Sequence, residues 1–147
     1  MLRLPFVLDA SSRISPPDNP QLTVEMAYLP TLSINRYRTG RGIIRYEVQC
    51  WMDELAKIVG MMTRTSNIQF KPPIKIELEL IAQDKRHPDI HNLHKVVADG
   101  ISLGLEIDDK HFLFEDKSVI IGENPRLIIT VRERKAGKLQ LKVLSKS

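Results

Sequence analysis

Asp89, His91, Lys95, Asp108 and Asp109 are the residues whose types and spacing best suit chemistry. The first three fall in one stretch, Asp89-Ile90-His91-Asn92-Leu93-His94-Lys95-Val96-Val97-Ala98-Asp99-Gly100, and Asp108-Asp109 follow shortly after. Carboxylates gathered beside a helix start and a lysine can hold a divalent cation against a phosphate. Mg²⁺ needs few of them, because it fills most of its shell with waters and substrate oxygens. Asp89 and His91 stand two apart before a predicted helix, and an extended chain there projects both to one side. Asn92 is the expected N-cap, its side chain accepting from a free amide of the first turn. Lys95 lies one turn in. Asp108 and Asp109 come after the helix and return to this place only if the chain doubles back. The competing reading is structural, since Asp near a helix start complements the helix dipole with no ligand involved. From residue types alone both readings stay open.

The elements that must position these residues follow from periodicity. Leu22–Leu29 alternates in its first half, as a half-buried strand does, and Pro30 ends it. Thr31 to Arg45, with Gly40 and Gly42, reads as an exposed loop. From Tyr46 to Met62 the apolar residues Val48, Trp51, Met52, Leu55, Ile58, Val59 and Met62 recur at helical spacing, so Trp51 is expected in the core. Ile74–Leu80 alternates strictly and is the clearest strand. A second helix carries Leu93, Val96, Val97 and Ile101 on one face and Asn92, Lys95 and Asp99 on another. Gly100 and Gly104 in it mark close packing or its end. His94 is expected to point outward, and His87 and His111 to lie in loops. Phe112–Phe114 and Val119–Ile121 are strand-like, and Leu127–Val131 with Leu139–Val143 reads as a hairpin turning at Ala136-Gly137. The sum is an α+β fold: one small domain, a mixed sheet of about five or six strands and two main helices. Residues 1–20, with their turn-rich Ser15–Pro20 stretch, read as an N-terminal extension or arm, and 21–147 as the domain.

The 147 residues suit one domain, and 42% hydrophobic with 27% charged argues against a disordered chain. Cys50 is the single cysteine, so neither an internal disulfide nor a cysteine zinc site can form. No apolar run reaches the roughly 20 residues that span a bilayer, and the opening residues lack a signal-peptide pattern. The expectation is a cytoplasmic, nucleoid-associated protein with no membrane partner. The net charge of +4 is modest but locally concentrated. Arg36, Arg38, Arg41 and Arg45 run without an intervening acid, and Arg132 to Lys146 holds six cations against Glu133. Such clusters suit phosphates, whose neutralisation releases condensed counterions, although a plain solvated basic face has the same composition.

The acidic stretch resembles the signature of the RusA family of Holliday-junction endonucleases. That signature reads Asp-x-Asp-Asn-Leu-x-x-Lys-x-x-x-Asp-Ala/Gly-Leu/Ile, with Arg or Lys before it and Asp-Asp after the helix. Here Lys85-Arg86 precede Asp89-Ile90-His91-Asn92-Leu93-His94-Lys95, then come Asp99-Gly100-Ile101 and Asp108-Asp109. Leu29-Pro30-Thr31-Leu32-Ser33-Ile34-Asn35-Arg36-Tyr37 is similar to the family's Leu-Pro…Ser-x-Asn-Arg-Tyr opening, and the likeness runs from about residue 22 to 144. The resemblance implies a homodimeric, Mg²⁺-dependent endonuclease that resolves four-way DNA junctions by symmetric cleavage. It implies a metal set of Asp89, His91, Asp108 and Asp109, with Asp89, His91, Lys95 and Asp109 as the catalytic group. Lys95 would act at the scissile phosphate. Asn35, Arg36, Arg38, Arg41, Arg45, Lys85 and Arg86 would hold DNA.

One position departs from the signature: His91 stands where the second Asp belongs. Mg²⁺ prefers hard oxygen donors, and imidazole suits transition metals. Three readings are open. His91 ligates a metal and shifts preference toward Mn²⁺; it acts outside the ligand shell or as a proton carrier; or the site is degenerate and the chain binds branched DNA without cutting it. His-containing forms of the motif among RusA-like proteins favour an active enzyme. An RNA-associated basic domain is a further rival, but it leaves the acidic cluster unexplained.

Overall fold

The computed structural model describes residues 5–8, 13–14 and 20–133. Its elements in chain order are β1 (Arg13–Ile14), β2 (Gln21–Ala27), α1 (Tyr46–Thr65), β3 (Ile74–Ala82), α2 (His94–Leu105), β4 (Phe112–Ile121) and β5 (Arg126–Glu133). Single 3₁₀ turns lie at Pro30–Leu32, Ile90–Leu93 and Asp109–His111. The strands form one mixed sheet in the order β1-β2-β5-β3-β4, in which β3 and β4 are parallel and every other pair is antiparallel. The α+β fold, with two main helices, is the one expected. The sheet has five strands among the described residues, of which β1 is two residues long.

Alternation dictates the layers. Ile74, Ile76, Leu78, Leu80 and Ala82 of β3, Leu127, Ile129 and Val131 of β5, and Leu22, Val24 and Met26 of β2 are all buried. Each row lies on one face of its strand, because successive side chains point to opposite sides. The helices complete the core from their apolar stripes, with Val48, Trp51, Leu55 and Val59 from α1 and Val97 and Ile101 from α2. Trp51 is fully buried, as expected, and its indole N–H donates to the Ala27 carbonyl at 2.8 Å. The alternate residues of the sheet carry charge instead: Lys75, Glu77, Glu115, Lys117 and Arg132 form a chain of ion pairs on the opposite side.

Some expectations are corrected by the structure, and others gain detail or fall outside the described residues. Phe112–Phe114 and Val119–Ile121 are one strand, not two. The charged Glu115-Asp116-Lys117 between them sits on the sheet's outer strand, where ion pairing replaces burial. The β3–β4 register shifts at Leu78/Glu79, so that Lys117 has no partner of its own and forms a bulge. β5 runs between β2 and β3, pairing with both; the hairpin partner expected at 139–143 and its turn lie outside the described residues. The loop from Thr31 is only partly exposed, since Leu32, Ser33 and Tyr37 are buried. Described parts of the N-terminal lead pair with β2: Val7 bridges Met26 and is buried, and the Phe6 amide donates to Glu54 Oε2 at 2.9 Å.

Candidate functional site

The expected N-cap at Asn92 is not found. α2 begins at His94, and the chain enters it through the 3₁₀ turn Ile90–Leu93, with Asp89 at the turn's own cap position and no side-chain cap bond. Ile90 and Leu93 are buried and anchor this turn, which leaves Asp89 and His91 exposed. Asp89 and His91 therefore straddle the start of a turn and not an extended segment. The Asn92 amide donates to the Asp89 carbonyl at 2.9 Å, while the Asn92 carbonyl accepts from the Ile34 amide at 2.8 Å. The second bond ties the arginine-rich loop directly to the acidic turn.

His94 does not point outward. Its Nε2 lies 2.7 Å from Asp116 Oδ1 on β4, and its ring stacks on Phe114 at a centroid distance of 4.2 Å. Sequence spacing explains the approach of the two imidazoles: three residues along a helical turn bring side chains to one side. The His91 and His94 centroids are 4.7 Å apart, edge to face. Ligand atoms of His91, His94 and Asp116 all lie within 4.8 Å of one another, the one such group of three among the described residues. Asp116 was not singled out from the sequence, because it is far along the chain and sits within a charged run. The available signal was His91-x-x-His94.

Lys95 pairs with Asp99 one turn on, at 3.2 Å. Asp108 and Asp109 lie beyond the other end of α2. Neither these two acids nor Asp89 belongs to the three-residue group found among the described residues. Asp108 caps the turn at Asp109–His111, accepting from the Lys110 amide at 3.0 Å. That bond chiefly holds its carboxyl below the usual range, helped by a hydrogen bond with Asp109. Asp108 also lines a cleft of about 540 Å³ with Asp53, Asp99 and Glu106.

The basic residues divide into two sets. Asn35, Arg36 and Arg86 line a cleft of about 420 Å³ with Tyr28, His87 and Asn92, next to the acidic turn. Burial raises the Tyr28 phenol's pKa, and the Arg36 charge partly opposes this. Arg86 leans on Asp84 at 3.3 Å, and its amide and guanidinium hold that carboxyl low. Arg38 and Arg45 are occupied within their own loop. Arg38 donates to the Gly42 carbonyl at 2.6 Å and to Tyr37 Oη at 2.9 Å, and Arg45 donates to the Arg36 carbonyl at 2.7 Å. Arg41 and Lys85 are exposed.

A basic cleft beside exposed acid and imidazole groups defines a candidate nucleic-acid interface. The family model described as endodeoxyribonuclease RusA matches residues 30–132, and the chain belongs to that family. Nucleases of this family act on branched DNA junctions and depend on a divalent metal ion. No curated protein matches the chain. Among solved structures, the periplasmic domain of Helicobacter pylori MotB is similar at 14% identity and a TM-score of 0.45, over 91% of this chain and 85% of that one. The OmpA-like domain of FopA1 from Francisella tularensis gives 13% and 0.42, over 83% and 79%. At these scores neither bears on function. No helix among the described residues is long and apolar enough to cross a membrane.

Proposed function

We propose that this chain is a divalent-metal-dependent endonuclease that resolves four-way DNA junctions by symmetric cleavage, acting as a homodimer. The observation that carries the reading is the Ile34–Asn92 backbone bond at 2.8 Å, which sets the Arg36–Arg86 cleft beside Asp89 and His91 on a family-matched chain. A two-fold enzyme suits a substrate with two equivalent strands to cut. Asp89 and His91 are the first ligands for Mg²⁺ or Mn²⁺. Asp108 and Asp109 complete the set, supplied across the two-fold axis by a second subunit. An ion held there would supply charge neutralisation at the phosphate and an activated water.

The chain's own groups supply the rest. Arg36, Arg86 and Asn35 hold the phosphate backbone, and the exposed Arg41 and Lys85 extend that grip. Lys95 is near enough to α2's start to meet charge developing on the phosphate once Asp99 releases it. Arg38 and Arg45 shape the loop that presents Arg36.

The test is a synthetic four-way junction incubated with the protein and Mg²⁺ or Mn²⁺. Paired symmetric nicks are expected. Asp89→Asn should keep junction affinity while cleavage falls at least about 100-fold, as loss of a metal ligand implies. Normal cleavage by that variant removes Asp89 from the site. Salt-sensitive binding without cleavage under either ion would make the protein a non-catalytic junction binder.

A further inference from the structure

We propose that His91, His94 and Asp116 form a site for a transition-metal ion that favours imidazole, of the Zn²⁺ or Co²⁺ kind. The site shares His91 with the ligand set proposed above, but its occupancy does not require that the chain cut DNA.

Three observations carry the inference. The first is the donor set. Two imidazoles and one carboxylate lie within 4.8 Å of one another, and this combination selects zinc-like ions over Mg²⁺. Tetrahedral zinc with bonds of about 2.0–2.2 Å needs ligand atoms roughly 3.3 Å apart. His94 Nε2 and Asp116 Oδ1 are hydrogen-bonded at 2.7 Å, so an ion would replace that proton and open the pair by roughly 0.6 Å, while His91 is exposed and can turn toward it.

The second is the placement of Asp116. Phe112, Phe114 and Asp116 pair level with Ile74, Ile76 and Leu78 of β3, so they share the face on which that strand's core row lies. Alternation reserves this row for apolar side chains, and Asp116 is its charged member. The bulge at Lys117 begins immediately after it, the kind of irregularity that re-aims a side chain.

The third is the support. Phe114 stacks on His94 with planes 15° apart and sets the ring's orientation. The side chains of His94 and Asp116 remain 20% and 36% exposed. Three protein ligands with an open side is the pattern of sites that keep a coordination position for water or substrate.

The experiment is a titration of the untagged, metal-stripped full chain with Co²⁺ alone, read by visible absorption, with Zn²⁺ calorimetry in parallel. One ion per chain is expected, with intense d–d bands from four-coordinate, tetrahedral geometry. His91→Ala, His94→Ala and Asp116→Asn should each weaken binding at least tenfold, and His111→Ala should not. Because His91 is exposed, its replacement removes a ligand without disturbing the core; circular dichroism checks the other two. Absence of the bands in the wild-type chain, or their survival in all three variants, overturns the site. A chain that binds Co²⁺ but cuts no junction keeps this site and loses the nuclease reading. One that cuts with Mg²⁺ yet binds no Co²⁺ does the reverse.

Discussion

A methyl group added to Gly104 would stand 2.7 Å from the carbonyl oxygen of Ala56, because α1 and α2 approach here backbone to backbone. At Gly100 the nearest obstacle is instead the Leu55 side chain, with Cδ2 at 2.8 Å. Leu55 is fully buried, with Cγ at 3.1 Å and Cβ at 3.2 Å, so it gives way only by repacking, whereas a helix carbonyl gives way less still. Overpacking costs about 1–3 kcal/mol, against roughly 1 kcal/mol of helix propensity gained by replacing Gly with Ala. Gly104→Ala should therefore destabilise the fold by about 1 kcal/mol net, and Gly100→Ala by less. Urea denaturation midpoints give the order, and equal stability of Gly104→Ala and the native chain would contradict it.

Arg36 and Arg86 share one cleft, whereas Arg45 is bonded to the Arg36 carbonyl. If the cleft holds phosphates, Arg36→Ala and Arg86→Ala should each lower the slope of log affinity against log salt by about 0.9. Arg45→Ala should act through loop order, weakening affinity with a smaller change in slope. Junction binding across a salt series separates the two behaviours.

Subunit sharing has a sharp genetic signature. Asp89→Asn and Asp109→Asn should each abolish cleavage alone. Mixed and re-equilibrated, they should regain nicking on one strand, since one of the two sites in the mixed dimer would carry both native acids. If the acids serve within one chain, both sites stay defective and mixing restores nothing.

Glu115 offers a pH test of the charged sheet face. Hydrogen bonds from Lys117 and then Lys75 hold its carboxyl at about 2, below the ordinary 4.5. A lowered folded value means that the contribution is complete above about pH 4.5 and is lost as pH falls toward 2. The melting temperature of Glu115→Gln should lie slightly below that of the native chain at pH 7 and converge with it near pH 2. The offset is small because the group is exposed, and a constant offset across that range would dismiss the network.

What could be read from the chain beforehand was local. The unbroken alternation of Ile74–Leu80 and the apolar stripe of α1 each specify an element without help from elsewhere. The insertion of β5 between β2 and β3 depends on pairing between distant residues, for which Leu127–Val131 carries no address. The same limit hid Asp116: in a linear reading Glu115-Asp116-Lys117 looks like a break between strands, and only the parallel register with β3 turns it toward His94. Asn92 suggested a cap by its type, but burial of Ile90 and Leu93 pulled the chain into a turn first and moved the helix start to His94.

The irregularity at Lys117 also bears on solubility. Among the described residues β4, ten residues long, is at the sheet's rim, and Val119, Ile120 and Ile121 are half exposed. A long flat rim of that composition would recruit another copy's strand and zip into aggregates. Lys117 throws the outward hydrogen-bonding groups out of step midway and sets a cation beside the apolar end, so an incoming strand could not pair along the full length.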